Sequence, residues 1–244
     1  MRSLDQVGLG VVAPHDMALD RELWRWVPDH VSVFMTRTPP SQRPATLAMI
    51  EEISGTDAIV AATKSLVATA SRAYGYACTS CSFIRGVAGE RDQTEAMHTA
   101  GAPAATTASG AIVDALSHLG AQRVVAATPY NHELTGRFES FLQESGLSVS
   151  RIANLDLEHD IRRVPYEQTI DMILAADRED ADAICIACTN LPTYEAIAPL
   201  EAKLGKPVVS ANQALMWSLL RHAGVVAEEC HQRLFSTGDH HDNR

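Results

Sequence analysis

Short apolar runs alternate along this chain with longer stretches of helical period. VGLGVVAP (7–14) reads as a buried strand, and LDRELWRWV (19–27) after it as a helix. DAIVAATKSLVATASR (57–72) reads as helix and AYGYACT (73–79) as a short buried strand. GAPAATT (101–107) leads into ASGAIVDALSHLG (108–120), where Ile112, Leu116 and Leu119 share one helix face. QRVVAATPY (122–130) is strand, and ELTGRFESFLQESG (133–146) is a helix closed by Gly146. ADAICIACT, LPTYEAIAPLEAKLG, KPVVSA and NQALMWSLLRHAG then read as strand, helix, strand and helix between 181 and 224. Strands alternating with helices predict parallel βαβ units.

The pattern also repeats. VVAPHDMAL (11–19) aligns with AATPYNHEL (126–134), ACTS (77–80) with ACTN (187–190), and the segment 101–120 with 205–224. The offsets are 115, 110 and 104, with the three blocks in the same order. This predicts an α/β fold of two similar Rossmann-like halves with parallel sheets, related by pseudo-twofold symmetry, with the active site in the cleft between them. The first half is residues 1–118, completed by about 217–235; the second is 119–216; a polar tail follows at 236–244.

Composition narrows the function classes. The chain has 244 residues, 46% hydrophobic and 20% charged, enough apolar content for a sizeable core. Its formal net charge of −10 and the lack of a Lys/Arg cluster argue against nucleic acid as partner. No run has the roughly 20 apolar residues of a membrane span, and the N-terminus does not read as a signal peptide. Five cysteines (78, 81, 185, 188, 230) are an odd count for a disulfide scaffold. A reducing cytoplasm and free thiols are therefore expected.

Cys78 and Cys188 occupy equivalent places in the repeat, each where a strand ends and a helix is expected to begin. Ligands of parallel α/β sheets bind at that edge. Beside helix N-terminal amides a cysteine gains thiolate character. Thr79–Ser80 and Thr189–Asn190 offer N-cap side chains and donors for a carboxylate or oxyanion. Two thiols on opposite walls can move a proton across a small acid, or one can add covalently while the other handles the proton. Neither route needs a metal or organic cofactor.

The run Cys-Thr-Ser-x-Ser-Phe-x-Arg-Gly at 78–86, Thr-Pro-Tyr at 128–130 and the second cysteine at 188 resemble the maleate cis–trans isomerase and arylmalonate decarboxylase branch of the Asp/Glu racemase superfamily. The likeness extends from about Val11 to Gly224. It implies Cys78 as nucleophile on an olefinic carbon and Cys188 as the opposing acid/base. Thr79, Ser80, Tyr130, Thr189 and Asn190 are implied as carboxylate contacts, and a homodimer is expected. Asp16 falls where isomerases of this branch hold a substrate carboxylate with Asn, and Glu158 falls on a second such Asn. Asp16 suits an amino group better, which points to racemisation of an amino acid or related acid as the alternative. Arylmalonate-type decarboxylation is a further alternative, although those enzymes carry Gly where Cys78 stands. A non-catalytic protein that binds small carboxylates would use the same cleft.

Other readings of the same residues are structural. Cys78 and Cys188 as buried small hydrophobes is the ordinary fate of a free cysteine. The C-x-x-C pairs 78–81 and 185–188 invite a zinc site, but they lie over a hundred residues apart. A redox pair at 78–81 is a further option, whereas Cys81 and Cys185 otherwise read as packing residues. His118 and His222 precede Gly at equivalent helix ends, where they complement the dipole. Arg85 reads as a solvated arginine or a neutraliser of substrate charge, and His15 as a neighbour able to tune Asp16.

Overall fold

The computed structural model describes residues 6–41, 47–227 and 230–236. Eight strands form two parallel sheets: β1 (Val7–Ala13), β2 (Val31–Arg37), β3 (Ala73–Tyr76) and β4 (Ala105–Thr107) in the first; β5 (Arg123–Thr128), β6 (Ser148–Asn154), β7 (Ala183–Ile186) and β8 (Val208–Ser210) in the second. Their orders are β2-β1-β3-β4 and β6-β5-β7-β8, the same permutation used twice. The repeat in the sequence is thus a repeat of topology.

The inner strands are continuous apolar runs because helices cover both faces of a parallel sheet. β3 and β7 are buried at every position, and β1 at all but its first. The helices are α1 (Asp20–Leu23), α2 (Leu47–Ile53), α3 (Thr56–Leu66), α4 (Thr79–Phe83), α5 (Gly86–Thr99), α6 (Ala108–His118), α7 (His132–Glu144), α8 (Tyr166–Ala176), α9 (Tyr194–Leu204), α10 (Ala211–His222) and α11 (Arg233–Ser236). Gly146, at φ +86°, follows α7 in the left-handed conformation that ends helices, as its sequence suggests. α10 is buried from Ala211 to Leu220 and is held at its start by the Ser210–Gln213 capping box. It lies so close to β3 that a Cβ at Gly75 would meet Leu215 Cδ1 at 2.9 Å and Leu219 Cδ1 at 3.1 Å. Gly75 is there for space.

Three strands (β2, β4 and β6) and several helices were not expected from the sequence. β2 and β6 are edge strands with half-exposed, irregular burial, so their apolar alternation is weak. α2, α5 and α8 also lie outside the segments read as helix. The polar tail 236–244 lies outside the described residues except for Ser236, the last residue of α11. Among the described residues no helix is long and apolar enough to cross a membrane.

Candidate active site

In each sheet the strand order reverses beside its first strand, and a crevice opens at the carboxyl ends of the strands there. The two crevices form one cavity of about 140 Å³. β1 leads into Pro14 and Asp16, β3 into Cys78–Cys81, β5 into Tyr130 and Asn131, and β7 into Cys188–Asn190. All eight residues singled out from the sequence (Asp16, Cys78, Thr79, Ser80, Tyr130, Cys188, Thr189 and Asn190) line this cavity. Glu158 stands at its rim, whereas Arg85 turns away to donate to the Glu51 carbonyl at 2.9 Å.

Cys78 is the N-cap of α4, in extended backbone, and its sulfur accepts the Cys81 N–H at 3.3 Å. One expectation is overturned here: Cys78 is not a free thiol but is joined to Cys81 in a disulfide. The C-x-x-C spacing wraps one turn at the start of α4 and puts the two Cα atoms 5.4 Å apart, within bridging range. Cys185, Cys188 and Cys230 are free. Cys185 is fully buried in β7, and burial pushes its thiol up to about 12, as suits a packing residue.

A second expectation also needs correction. Cys188 does not open a helix, and neither Thr189 nor Asn190 is an N-cap. α9 starts only at Tyr194; the intervening segment contains Pro192, and Cys188 itself has φ +88°. A non-glycine residue held there is strained backbone, which persists only where surrounding contacts over-determine it. Those contacts are visible. The Asn190 N–H reaches Cys188 Sγ at 3.4 Å, Thr189 Oγ1 donates to the Ala77 carbonyl at 3.0 Å, and Asn212 Nδ2 donates to the Thr189 carbonyl at 3.1 Å. The Asn190 side chain crosses to the first half, accepting the Ala18 N–H at 2.8 Å and donating to the Asp16 carbonyl at 3.1 Å.

Burial pushes the Cys188 thiol up to about 11, opposed by contacts from Tyr130 and the Asn190 amide and reinforced by the Asp16 carboxylate. At neutral pH Cys188 is therefore a thiol, a proton donor rather than a standing base. The Tyr130 hydroxyl faces Cys188, Thr79 and Ser80, and burial raises it well above the usual phenol range. Its backbone is fixed by Asn154 Nδ2, 2.9 Å from the Tyr130 carbonyl, and its ring packs against Phe83.

The cavity has two chemical characters. Hydroxyls of Thr79, Ser80 and Tyr130 cluster at its base. Leu47, Met49, Ile50 and Ile53 of α2, with Leu157 and Ile161, make an apolar wall. Sequence reasoning missed that wall; its signal was the apolar spacing in LAMIEEI (47–53). Asp16, Glu133 and Glu158 are the charged residues among the described lining, and all are acidic. Among the described residues no group of three or more His, Cys, Asp or Glu is placed to hold a metal ion.

Residues 50–235 match the sequence profile of the arylmalonate decarboxylase family, three quarters of the chain. The chain belongs to the arylmalonate decarboxylase family. Relatives carry two activities in their names. An arylmalonate decarboxylase of Bordetella bronchiseptica is 35% identical over 150 residues, 60% of this chain and 62% of that protein. A maleate isomerase of Nocardia farcinica is 30% identical over 155 residues, 60% of this chain and 61% of that protein. The matches thus span about three fifths of these relatives' length. The fold agrees over more of the chain. A liganded arylmalonate decarboxylase variant, with one Gly changed to Cys and one Cys to Ser, superposes with a TM-score of 0.86 at 28% identity, covering 96% of this chain and all of the other.

Within this family member the repeat is broken at one chemically informative point. Thr189 spends its hydroxyl on the Ala77 carbonyl of the other half, whereas its counterpart Thr79 turns its buried hydroxyl toward Tyr130 in the cavity. Thr189→Val is expected to cost about 1 kcal/mol, a fall in Tm of about 2–4 °C for a chain of this size. Thr79→Val, removing a hydroxyl that faces a cavity side chain rather than a backbone carbonyl, should lower Tm by less. Thermal melts of the two variants check this, and equal losses would show that Thr79 also has a structural partner.

Proposed function

We propose that this chain is a cofactor-independent isomerase of a small carboxylic acid, with Cys78 and Cys188 as its two reacting groups and maleate-type cis–trans isomerisation as its reaction. The observation that carries this reading is the pairing of the two cysteines in one cavity. Cys188 is held as a thiol, and neutral donors lie beside Cys78. The maleate isomerase relative supports it. The reaction requires Cys78 in its reduced form. Its thiolate adds to one olefinic carbon while the Cys188 proton passes to the other. The former double bond is then single and rotates. Cys188 takes the proton back, the C–S bond breaks, and the trans acid leaves. Thr79, Ser80 and Tyr130 would hold one carboxylate through their clustered hydroxyls.

A second reading draws on the apolar wall and the acidic rim. An acid with one carboxylate and an apolar substituent would meet less repulsion from Asp16 and Glu158 than a dicarboxylate. The same two sulfurs would then racemise it, one removing the α-proton and the other supplying a proton on the opposite face.

The test starts from protein reduced with dithiothreitol and incubated with maleate. Fumarate by NMR and a maleate-sized adduct on Cys78 by mass spectrometry, both lost in Cys78→Ala, are the expected result. Neither fumarate nor adduct would discard maleate. Solvent-deuterium exchange at the α-carbon of 2-substituted acids then decides the second reading, which requires both cysteines for exchange.

A further inference from the structure

We infer that Cys78 and Cys81 form a reversible dithiol–disulfide site, with a low-molecular-weight disulfide as oxidant and the corresponding thiol as reductant. The closed state is the one the structure shows. Both residues line the cavity, but unequally: Cys78 is 5% exposed, and Cys81, packed at 1%, lies behind it. Chemistry from outside therefore reaches Cys78 first, and Cys81 is placed to resolve it. The geometry of that second step is built into the turn. Cys78 sits as N-cap in extended backbone, which aims its sulfur at the third residue of α4, and the Cys81 N–H already points at that sulfur. Cys188, the other thiol of the cavity, is free and is held instead by the Asn190 N–H.

The exchange balances in two displacements. The Cys78 thiolate attacks the external disulfide, its S–S bond breaks, and one thiolate leaves with Cys78 in a mixed disulfide. Cys81 gives its proton to solvent, attacks the Cys78 sulfur, and expels the second thiolate. Two electrons pass from the protein dithiol to the external disulfide, which ends as two thiols. Excess thiol reverses both steps through Cys78. The consequence for turnover rests on the reading of Cys78 as nucleophile: bridged, its sulfur has no lone thiolate to add to a substrate, and the site is off. The exchange itself does not depend on that reading.

The experiment equilibrates the full chain in graded ratios of reduced to oxidised glutathione. It then quenches with acid, alkylates free thiols and maps peptides by mass spectrometry. The expected result is a peptide short of two hydrogens that carries a 78–81 bridge. Its population should depend on the square of the thiol concentration, with isomerase activity falling as the bridged fraction rises and returning after dithiothreitol. Cys81→Ser, which cannot resolve, should accumulate a glutathione adduct at Cys78 in place of the bridge. A persistent adduct on wild-type Cys78, or a bridge from Cys78 to Cys188, would overturn the proposal. Because the masses are read without substrate, bridging in a protein inert toward maleate and 2-substituted acids leaves the redox site standing and removes the functional reading alone.

Discussion

Cys188→Ala should lower kcat on the acid turned over by about a thousandfold, within the range for loss of a positioned acid/base, while Tm stays close to the parental value. The size follows from what is left in the cavity. Tyr130 is the hydroxyl that contacts Cys188, and burial makes it a weaker acid than an ordinary phenol. The Thr79 and Ser80 hydroxyls are weaker still, so no neighbour replaces the thiol. Stability changes little because Cys188, although at the edge of the core, has the cavity on one side and loses only a small side chain. The same group sets an expectation for pH. A thiol pushed up to about 11 keeps its proton through the alkaline range. In kcat/KM it therefore brings no alkaline fall until pH nears that value, whereas an ordinary thiol would ionise at about 8.5. A Cys188→Ala enzyme within tenfold of the parent, measured with Cys78 fully reduced, would remove Cys188 from the chemistry.

The second large effect is expected at a residue outside the cavity lining. Glu22 of α1 is 7% exposed, and its carboxylate crosses to the second half. It accepts from the Thr193 N–H at 3.1 Å, Thr193 Oγ1 at 2.9 Å and Asn212 Nδ2 at 3.1 Å. Asn212 in turn holds the Thr189 carbonyl, so one carboxylate grips both ends of the strained segment that begins at Cys188. Glu22→Ala strands a buried N–H and weakens the hold on a buried amide. At 1–3 kcal/mol for an unsatisfied group, less the relief of removing a desolvated carboxyl, we expect a loss of about 3 kcal/mol. Tm should fall by about 6–12 °C at the sensitivity of a chain this size, and kcat should fall with it as Cys188 loses its support.

Glu22 also carries a pH signature. Desolvation by burial raises its pKa above 4.5 despite the opposing hydrogen bonds from Asn212 and Thr193. The folded protein therefore keeps this proton where the unfolded chain has lost it. Stability from this group is present below about 4.5 and declines as pH rises through the folded pKa. Glu22→Gln should flatten that slope while still costing stability, because its amide N–H₂ would face donors. Melting temperatures across mildly acidic pH check both variants. A change in Tm of under about 2 °C, less than 1 kcal/mol, would show that the segment holds itself.

The fold was legible to the extent that its segments are buried on all sides. β1, β3, β5 and β7 stand out as unbroken apolar runs because parallel inner strands meet helices on both faces. The edge strands VSVFMTR and SVSRIAN do not, since one side of each faces solvent or loop and their side chains are mixed accordingly. α5 begins with Gly and is largely polar, so its periodicity is faint. Cys78, Cys188 and the Thr-Ser and Thr-Asn after them could be singled out because the chain writes its sheet-edge segments twice, and a repeated segment implies a repeated position; Asp16 and Tyr130 came from the family resemblance. What that logic assumes is equality of the halves. It therefore supposed a helix start after Cys188, and it treated Thr79 and Thr189 as alike.

By itself, then, the sequence determined the alternation of strands and helices, the duplication and the pair of cysteines at equivalent strand ends. Each of these is local pattern, readable from spacing and residue type. Only the tertiary structure decided that Thr79 faces Tyr130 while Thr189 is bound to Ala77, that Glu22 reaches from one half to brace the Cys188 segment, and that α2 lends an apolar wall. It also decided that Cys78 faces Cys81 as a bridge across one turn. The contacts between the halves depend on which groups meet across more than a hundred residues, and the bridge, between residues three apart, on the backbone at Cys78. Periodicity carries no information about either.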